Sequence, residues 1–424
     1  MKIAMISTPL VGLGGGQRQI LRLAVELQRF GHEVEIFTSA VNEENCYCDM
    51  IEKLTVNVIP HPLEKRMPKW LIPIENQQKG GQETVAETAE PSSLRVWMRR
   101  AMGRQFYTIP YQLPSMVNIG KKIPKGFDII NNHNFPSEWA AFLAKKRLKA
   151  PVVWMCNEPP DWFFVSEYRM GLRKINWPIY EIMDKTTARY IDEILVLSSV
   201  AQKYVVRAYN RSSRIVRTGI DVDLFHGASG SRVRQKYGLG KDFVLLQVGN
   251  FQRNKGQIDS IRVLHHLAKR HSGISLILDG GGRKEDLIRL GESLGVIDKI
   301  LFLNTKNDRE LAEIYAACDV FLFPAQITWG LAAIEAMAAS KSVVATSRCG
   351  ASEIIQSGMN GIVVDFAKTE EAAKQVELLL NDAQLRRKIG DNAYQYVKNH
   401  LSWEKYAKTM ETIFEKAVLT FKQK

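Results

Sequence analysis

From Asp319 to Ser340 the chain reads Asp-Val-Phe-Leu-Phe-Pro, Ala-Gln-Ile-Thr-Trp-Gly, then Leu-Ala-Ala-Ile-Glu-Ala-Met-Ala-Ala-Ser. The first block is an apolar run closed by proline, the pattern of a short parallel strand buried on both faces. The last is rich in Ala, Leu, Met and Glu, residues that lose little on entering a helix. Gly330 stands at the join. A strand feeding a helix through a glycine turn leaves unpaired backbone N–H groups and a positive dipole end in one place. Such a place favours a phosphate or a sugar hydroxyl. Glu335 lies one turn into the helix. A carboxylate there would repel phosphate, so its chemistry is to accept bonds from hydroxyls, as on a ribose or hexose.

The same plan opens the chain. Lys2 to Ser7 reads as a buried strand, Val11-Gly-Leu-Gly-Gly-Gly16 as a loop, and Gln17 to Phe30 as a helix with Ile20, Leu21, Leu23, Ala24 and Leu27 on one face. Gly31 suits the helix C-cap and Glu33 to Thr38 is the next strand. The loop does not fit the dinucleotide fingerprint, and no acidic residue ends the second strand convincingly. Further strands are expected at Phe127 to His133, at Pro151 onward ending in Asn157 and Glu158, and at Glu193 to Ser198. Asp242 to Gly249 opens a second series, continued at Ile274 to Gly282 and Ile300 to Asn304. At 424 residues the chain is long enough for two domains. No repeat of solenoid length is visible.

The formal net charge of +13 suits an acidic partner such as nucleotide phosphates or an anionic membrane face. Leu94 to Tyr107 interleaves arginines with Trp97, Met98, Met102 and Phe106, and no acidic residue occurs from Leu94 to Phe127. That segment is either a helix covering the core of the first domain or a contact with an anionic membrane surface. No recognised nucleic-acid-binding module appears. Residues Gln77 to Ser93 are polar and read as a loop. Five scattered cysteines point to reduced thiols in a cytoplasmic setting. No apolar run approaches the roughly 18 residues needed to span a bilayer, so the expected location is cytoplasmic, with peripheral attachment to the inner membrane face as an option.

The order strand, proline, glycine, Leu-x-x-Ile-Glu-Ala-Met-Ala, then Gly350-Ala-Ser-Glu-Ile-Ile and Asn360-Gly-Ile-Val-Val resembles the donor-binding half of family 4 glycosyltransferases. The resemblance extends over most of the chain and is weakest between about Leu63 and Lys125. It implies an α/β chain of the GT-B fold, with two Rossmann-like domains facing across a cleft. Residues 1–215, with 400–424 packing back, would form the acceptor-side domain and 216–399 the nucleotide-sugar domain. The implied reaction is transfer of a sugar from a nucleotide-sugar to a carbohydrate or glycolipid hydroxyl, with retention at the anomeric carbon. No cofactor or metal is implied, and Asp221-Val-Asp223 is set aside as a metal motif because it lies in the Gly-Ile-Asp-x-x-x-Phe segment.

Residue by residue, the resemblance gives Lys255 to the leaving diphosphate, with Arg253 beside it and Asn250 where the family keeps arginine. Gly14, Gly15 and Gly16 would offer amides to the diphosphate, His133 would line the sugar site, and Glu335 would hold the ribose. Gln326, Thr328, Gly330 and Leu331 complete the donor side. Asn157 and Glu158 either face the acceptor or cap the segment after them. The family signature places a glutamate eight positions before Glu335, and this chain has Ile327 there. Ile327 and Asn250 keep a non-catalytic nucleotide-sugar-binding subunit in play, and a GT-B epimerase is the other alternative.

Overall fold

The computed structural model describes residues 1–12, 14–42, 46–63, 112–158, 173–305 and 307–423, with backbone alone at 173–180. The segments 77–93 and 94–107 lie outside the described residues. The chain divides into two compact units, Met1–Val216 with Ala407–Lys424, and Arg217–Tyr406.

The first unit alternates strands and helices: β1 (Lys2–Ile6), α1 (Gly15–Arg29), β2 (Glu33–Thr38), α2 (Cys48–Ile51), β3 (Thr55–Val58), α3 (112–122), β4 (Ile129–His133), α4 (Ser137–Leu148), β5 (Val152–Met155), α5 (Arg173–Arg189), β6 (Glu193–Val196), α6 (Ser199–Tyr209) and β7 (Arg214–Ile215). Its seven strands are parallel in the order β3-β2-β1-β4-β5-β6-β7. The order reverses between β1 and β4, the point in an open parallel sheet where ligands meet the carboxyl ends of strands. Every residue of β4 and β5 is buried; β5 is apolar throughout, whereas β4 carries Asn131, Asn132 and His133, polar groups that must find partners inside the fold. Trp154 on β5 is fully enclosed and meets Tyr209 of α6 edge to face at 5.5 Å.

The second unit contains α7 (Val222–His226), α8 (Ser231–Lys236), β8 (Phe243–Val248), α9 (Gln257–Ala268), β9 (Ile274–Asp279), α10 (Glu285–Ser293), β10 (Ile300–Leu303), α11 (Asp308–Ala317), β11 (Val320–Phe323), α12 (Leu331–Ala338), β12 (Ser342–Thr346), β13 (Ile362–Val364), α13 (Thr369–Asn381) and α14 (Ala383–His400). The final helix α15 (Trp403–Lys422) begins in this unit, and its residues from Ala407 belong to the first. Six parallel strands run β10-β9-β8-β11-β12-β13, with the reversal between β8 and β11. Side-chain caps start several helices: in this unit Asn307 accepts from Glu310 N at 2.8 Å, and Asp382 accepts from Gln384 and Leu385 N. Among the described residues no helix is long and apolar enough to cross a membrane, and the five cysteines form no disulfide.

Helix α12, which carries Glu335, is fixed from behind. Just beyond its end, Ser340 with a φ of 56° turns the chain sharply. There α14 comes so close that a Cβ on Gly390 would lie 2.2 Å from the Ser340 carbonyl oxygen. A Gly390→Ala variant must push the two helices apart, and overpacking of this kind costs about 1–3 kcal/mol. The midpoint of thermal unfolding should fall accordingly. An unchanged midpoint would show that α14 can shift freely.

Candidate active site

In the second unit the chemistry-bearing residues lie on loops at the carboxyl ends of β8, β9 and β11. Gly249 leaves β8 with φ 148° and donates its N–H to Asp279 O at 2.8 Å, while Phe251 N bonds Gly281 O at 2.7 Å. Gly280 is required by contact, since a Cβ there would meet Gly249 O at 2.3 Å. Two buried glutamines then lock the β8 loop. Gln247 Nε2 donates to Lys255 O at 2.7 Å, and Gln257 Nε2 donates to Gly249 O and Asn250 O at 3.1 Å each. Lys255 closes the short 3₁₀ turn Arg253–Lys255 and is half-buried, whereas Asn250 and Arg253 are exposed.

This loop is joined to the one that precedes α12. Gln326 N donates to Asn254 O at 2.8 Å. Gly256, at φ 75°, rests on Pro324 where a Cβ would come within 2.8 Å of the proline ring. Gly330 has φ 143° and leaves no room for a side chain against the Phe323 ring. It caps α12 without a side-chain bond, and the first turn of the helix holds no acidic residue. That helix end keeps its positive dipole. The turn Gly350–Ile354 braces the loop from outside: Gly350 N bonds Ile327 O at 3.2 Å and Ala351 N bonds Trp329 O at 3.3 Å. Gln326 is exposed, Ile327 and Leu331 are half-buried, and Thr328 is buried. Glu335 is buried, and its Oε2 accepts from the Tyr315 hydroxyl at 2.9 Å. Burial and the Glu335 charge push the Tyr315 phenol well up, so it stays a donor and fixes the carboxylate's orientation.

The structure thus brings Asn250, Arg253, Lys255, Gln326, Thr328 and Gly330 onto two hydrogen-bonded loops, with Glu335 a turn further along α12. Asp221 and Asp223 open α7. Among the described residues no three His, Cys, Asp or Glu side chains are grouped to hold a metal ion.

In the first unit α1 begins at Gly15, with Gly14 as an extended N-cap, no side-chain cap and no acidic residue in the first turn. Gly16 admits Asn134, whose side-chain nitrogen would lie 2.7 Å from a Cβ at that position. Asn134 Oδ1 accepts from Asn157 Nδ2 at 2.7 Å, and the same Asn157 amide reaches Gln19 Oε1 at 2.7 Å. So Gly16, Asn157 and the loop following His133 meet, while Glu158 is exposed. His133 itself is completely buried. Its Nε2 bonds Asn131 Oδ1 at 2.8 Å and its Nδ1 has no partner. Burial lowers its pKa to about 3, so the imidazole is neutral with Nδ1 as a bare acceptor.

The sequence reading missed several of these groups. Gln247 and Gln257 carry a visible signal, a polar residue inside an apolar strand and one at a helix start. Glu138 and Asp184 carry none. Both are fully buried; Asp184 Oδ1 accepts from Trp139 Nε1 at 2.8 Å, and burial, with the Asp184 charge, drives Glu138 well above the usual carboxylate range.

Residues 14–221 match the model of the glycosyl transferase 4-like domain, and residues 231–396 match that of glycosyl transferases group 1. The chain is a family 4 glycosyltransferase. The D-inositol 3-phosphate glycosyltransferase of Nocardia farcinica is 25% identical over 425 residues, covering 97% of this chain and 86% of the relative. Its counterpart in Mycolicibacterium smegmatis is 24% identical over 410 residues, 93% of this chain and 86% of the relative. Among solved structures, Anabaena HepE in complex with UDP and glucose aligns at a TM-score of 0.71 and 18% identity, over 98% of this chain and 100% of HepE. Sucrose-phosphate synthase of Thermosynechococcus elongatus aligns at 0.74 and 18% identity, over 99% and 100%. At such identities the likeness is one of fold, and the glycosyltransferase's fold is GT-B, as its sequence led one to expect.

The buried histidine has a consequence for stability. Its folded pKa of about 3 lies below the ordinary 6.5, so the unfolded chain binds the proton first. The contribution is therefore complete above about 6.5 and is lost progressively as pH falls from there toward about 3. Thermal unfolding followed across that range should show a shallower acid decline for His133→Asn than for the parent. Parallel curves would show that another group carries the decline.

Proposed function

We propose that this glycosyltransferase moves a sugar from a nucleotide-sugar to an acceptor hydroxyl with retention of anomeric configuration, in the synthesis of a glycan, polysaccharide or glycolipid. The observation that carries the reading is the Gln326–Asn254 bond. It sets a cationic turn bearing Arg253 and Lys255 against the uncapped amino end of α12, a pairing suited to a diphosphate. HepE, crystallised with UDP and glucose, shares the fold, which supports the same class of donor.

In this reading Lys255, assisted by Arg253, neutralises charge that grows on the diphosphate as the glycosidic bond breaks. Amides at Gly330 and Leu331 hold the phosphates, as do those of Gly14, Gly15 and Gly16 in the first unit. Glu335, oriented by Tyr315, accepts from the ribose hydroxyls. The departing phosphate oxygen takes the acceptor's proton, so no general-base carboxylate and no bound metal is called for. Neutral His133 serves by acceptor chemistry or by shaping the loop to Asn134, and it does not act as an acid. Residues 1–215 would present the acceptor, with Asn157 and Glu158 near it, and residues 216–399 the donor.

Lys255→Ala, assayed in buffer containing EDTA, should lower kcat by about a hundredfold, the scale of losing one transition-state donor. Donor KM should change much less. Equal effects on both would make Lys255 a ground-state anchor, and complete loss of parent activity in EDTA would demand a metal. Ile327 makes a second expectation. Isoleucine accepts no hydrogen bond, and an apolar wall discriminates weakly between hydroxylated sugars. The parent should therefore take a less polar donor or choose loosely among hexoses. Ile327→Glu should shift kcat/KM by about tenfold toward fully hydroxylated hexoses. Strict preference for such a hexose in the parent would contradict this. Tight nucleotide binding without transfer from any donor would turn the reading to a binding subunit.

A further inference from the structure

Among the buried hydrogen-bond donors of the second unit that have no partner, two adjoin. The indole N–H of Trp329 is one and Nε–H of Arg217 is the other. Trp329 is only 4% exposed. The Arg217 guanidinium stands 5.9 Å from the Trp329 ring centroid, and its Nη2 donates to Glu353 Oε2 at 3.1 Å. Both donors are tied to the loop that holds Ile327. Trp329 O accepts from Ala351 N, Ile327 O accepts from Gly350 N, and Glu353 lies on the same turn, Gly350–Ile354. Leaving a buried donor unmade is costly, so such groups in a native fold call for an occupant.

We infer that Arg217 and Trp329 form a subsite for the carbonyl oxygen of an N-acyl group on the donor sugar. This rests on the donor reading above and names the sugar class that reading leaves open. Where the family signature has a glutamate, an acceptor for sugar hydroxyls, this chain offers isoleucine and two N–H groups. The polarity of the site is inverted. A sugar hydroxyl or a water would bring hydrogens as well as lone pairs, and of the groups named here only Glu353, which already accepts from Arg217, could receive them. A carbonyl oxygen brings two lone pairs and no hydrogen, which matches two donors. A carboxylate, as on a uronic acid, would place a second negative charge beside Glu353, whose own charge already balances Arg217. An acetamido carbonyl is neutral. Ile327, half-buried on the same loop, supplies an apolar wall suited to the acyl methyl.

The test is calorimetric binding of UDP, UDP-glucose, UDP-N-acetylglucosamine and UDP-glucuronate to the full chain. UDP-N-acetylglucosamine should bind about tenfold more tightly than UDP-glucose, with UDP-glucuronate weakest. Trp329→Phe keeps the ring and removes one donor, and Arg217→Lys keeps the charge facing Glu353 while removing the other. Each should bring the ratio of acetamido to plain sugar close to one. The ratio is read within each variant, so a general loss of folding or of nucleotide affinity cancels. Binding of UDP and its sugars with a ratio near one in the parent, or unchanged in both variants, overturns the subsite and leaves the donor reading standing. A preference for UDP-glucuronate also overturns it. No binding by UDP or any of its sugars overturns the subsite together with the uridine-sugar form of the reading beneath it.

Discussion

A single backbone hydrogen bond, Gln326 N to Asn254 O at 2.8 Å, joins the loop after β8 to the loop after β11. Those two strands flank the reversal in strand order, where an open parallel sheet parts its loops. The bond is short because Gly256 lets the backbone rest on Pro324, and because Gln247 and Gln257 hold the carbonyls of the β8 loop from below. Without it Lys255 and the amino end of α12 would be placed by two loops moving separately. Catalytic groups held even about 1 Å out of position lose much of their effect. The site therefore depends on main-chain geometry before it depends on any charge.

The charges are then disposed by what surrounds them. Glu335 is buried but meets a phenol whose proton is held tightly, so the pair needs no counter-ion to be oriented. Arg217 is balanced by Glu353 at 3.1 Å and keeps a donor in reserve. Arg253, by contrast, is exposed, where its field is screened by solvent. These differences assign unequal weights to groups of the same formal charge. Lys255, half-buried on a turn locked through its own carbonyl, has the greater leverage of the two cations on the turn.

Much of this was legible in the sequence because the fold repeats one local grammar. Apolar runs of buried strands, followed by glycine and an alanine-rich helix, identify the elements at Lys2–Ile6 and Val320–Phe323 from type and order alone. The glycines were harder to weigh. In one string, Gly16 stands where a Cβ would meet Asn134, Gly14 faces only the flexible end of the nearby Gln17, and Gly12 faces open space. Composition cannot separate them, since the difference lies in what another segment brings up against each. The same holds for His133. Its place at a strand end was readable, but not that the chain would enclose it completely and leave it neutral. Arg217 and Trp329 are over a hundred positions apart, and only the folded turn at Gly350–Ile354 makes them neighbours.

The first unit carries its own unresolved polarity behind the glycine loop. His133 Nδ1 and both carboxyl oxygens of Glu138 are buried without partners, a few residues apart on either side of the turn at Asn134. Each such group costs about 1–3 kcal/mol relative to a satisfied one. Burial opposes charge on both groups: it lowers the histidine's pKa to about 3 and, with the Asp184 charge, raises the glutamate's well above its ordinary value. The segment between them leads through Asn134 to the start of α1, where unpaired amides already make the local field positive. An imidazolium there would add to that field, and a carboxylate would cancel it. With charge opposed at both positions, the positive end of α1 is neither reinforced nor cancelled from this side.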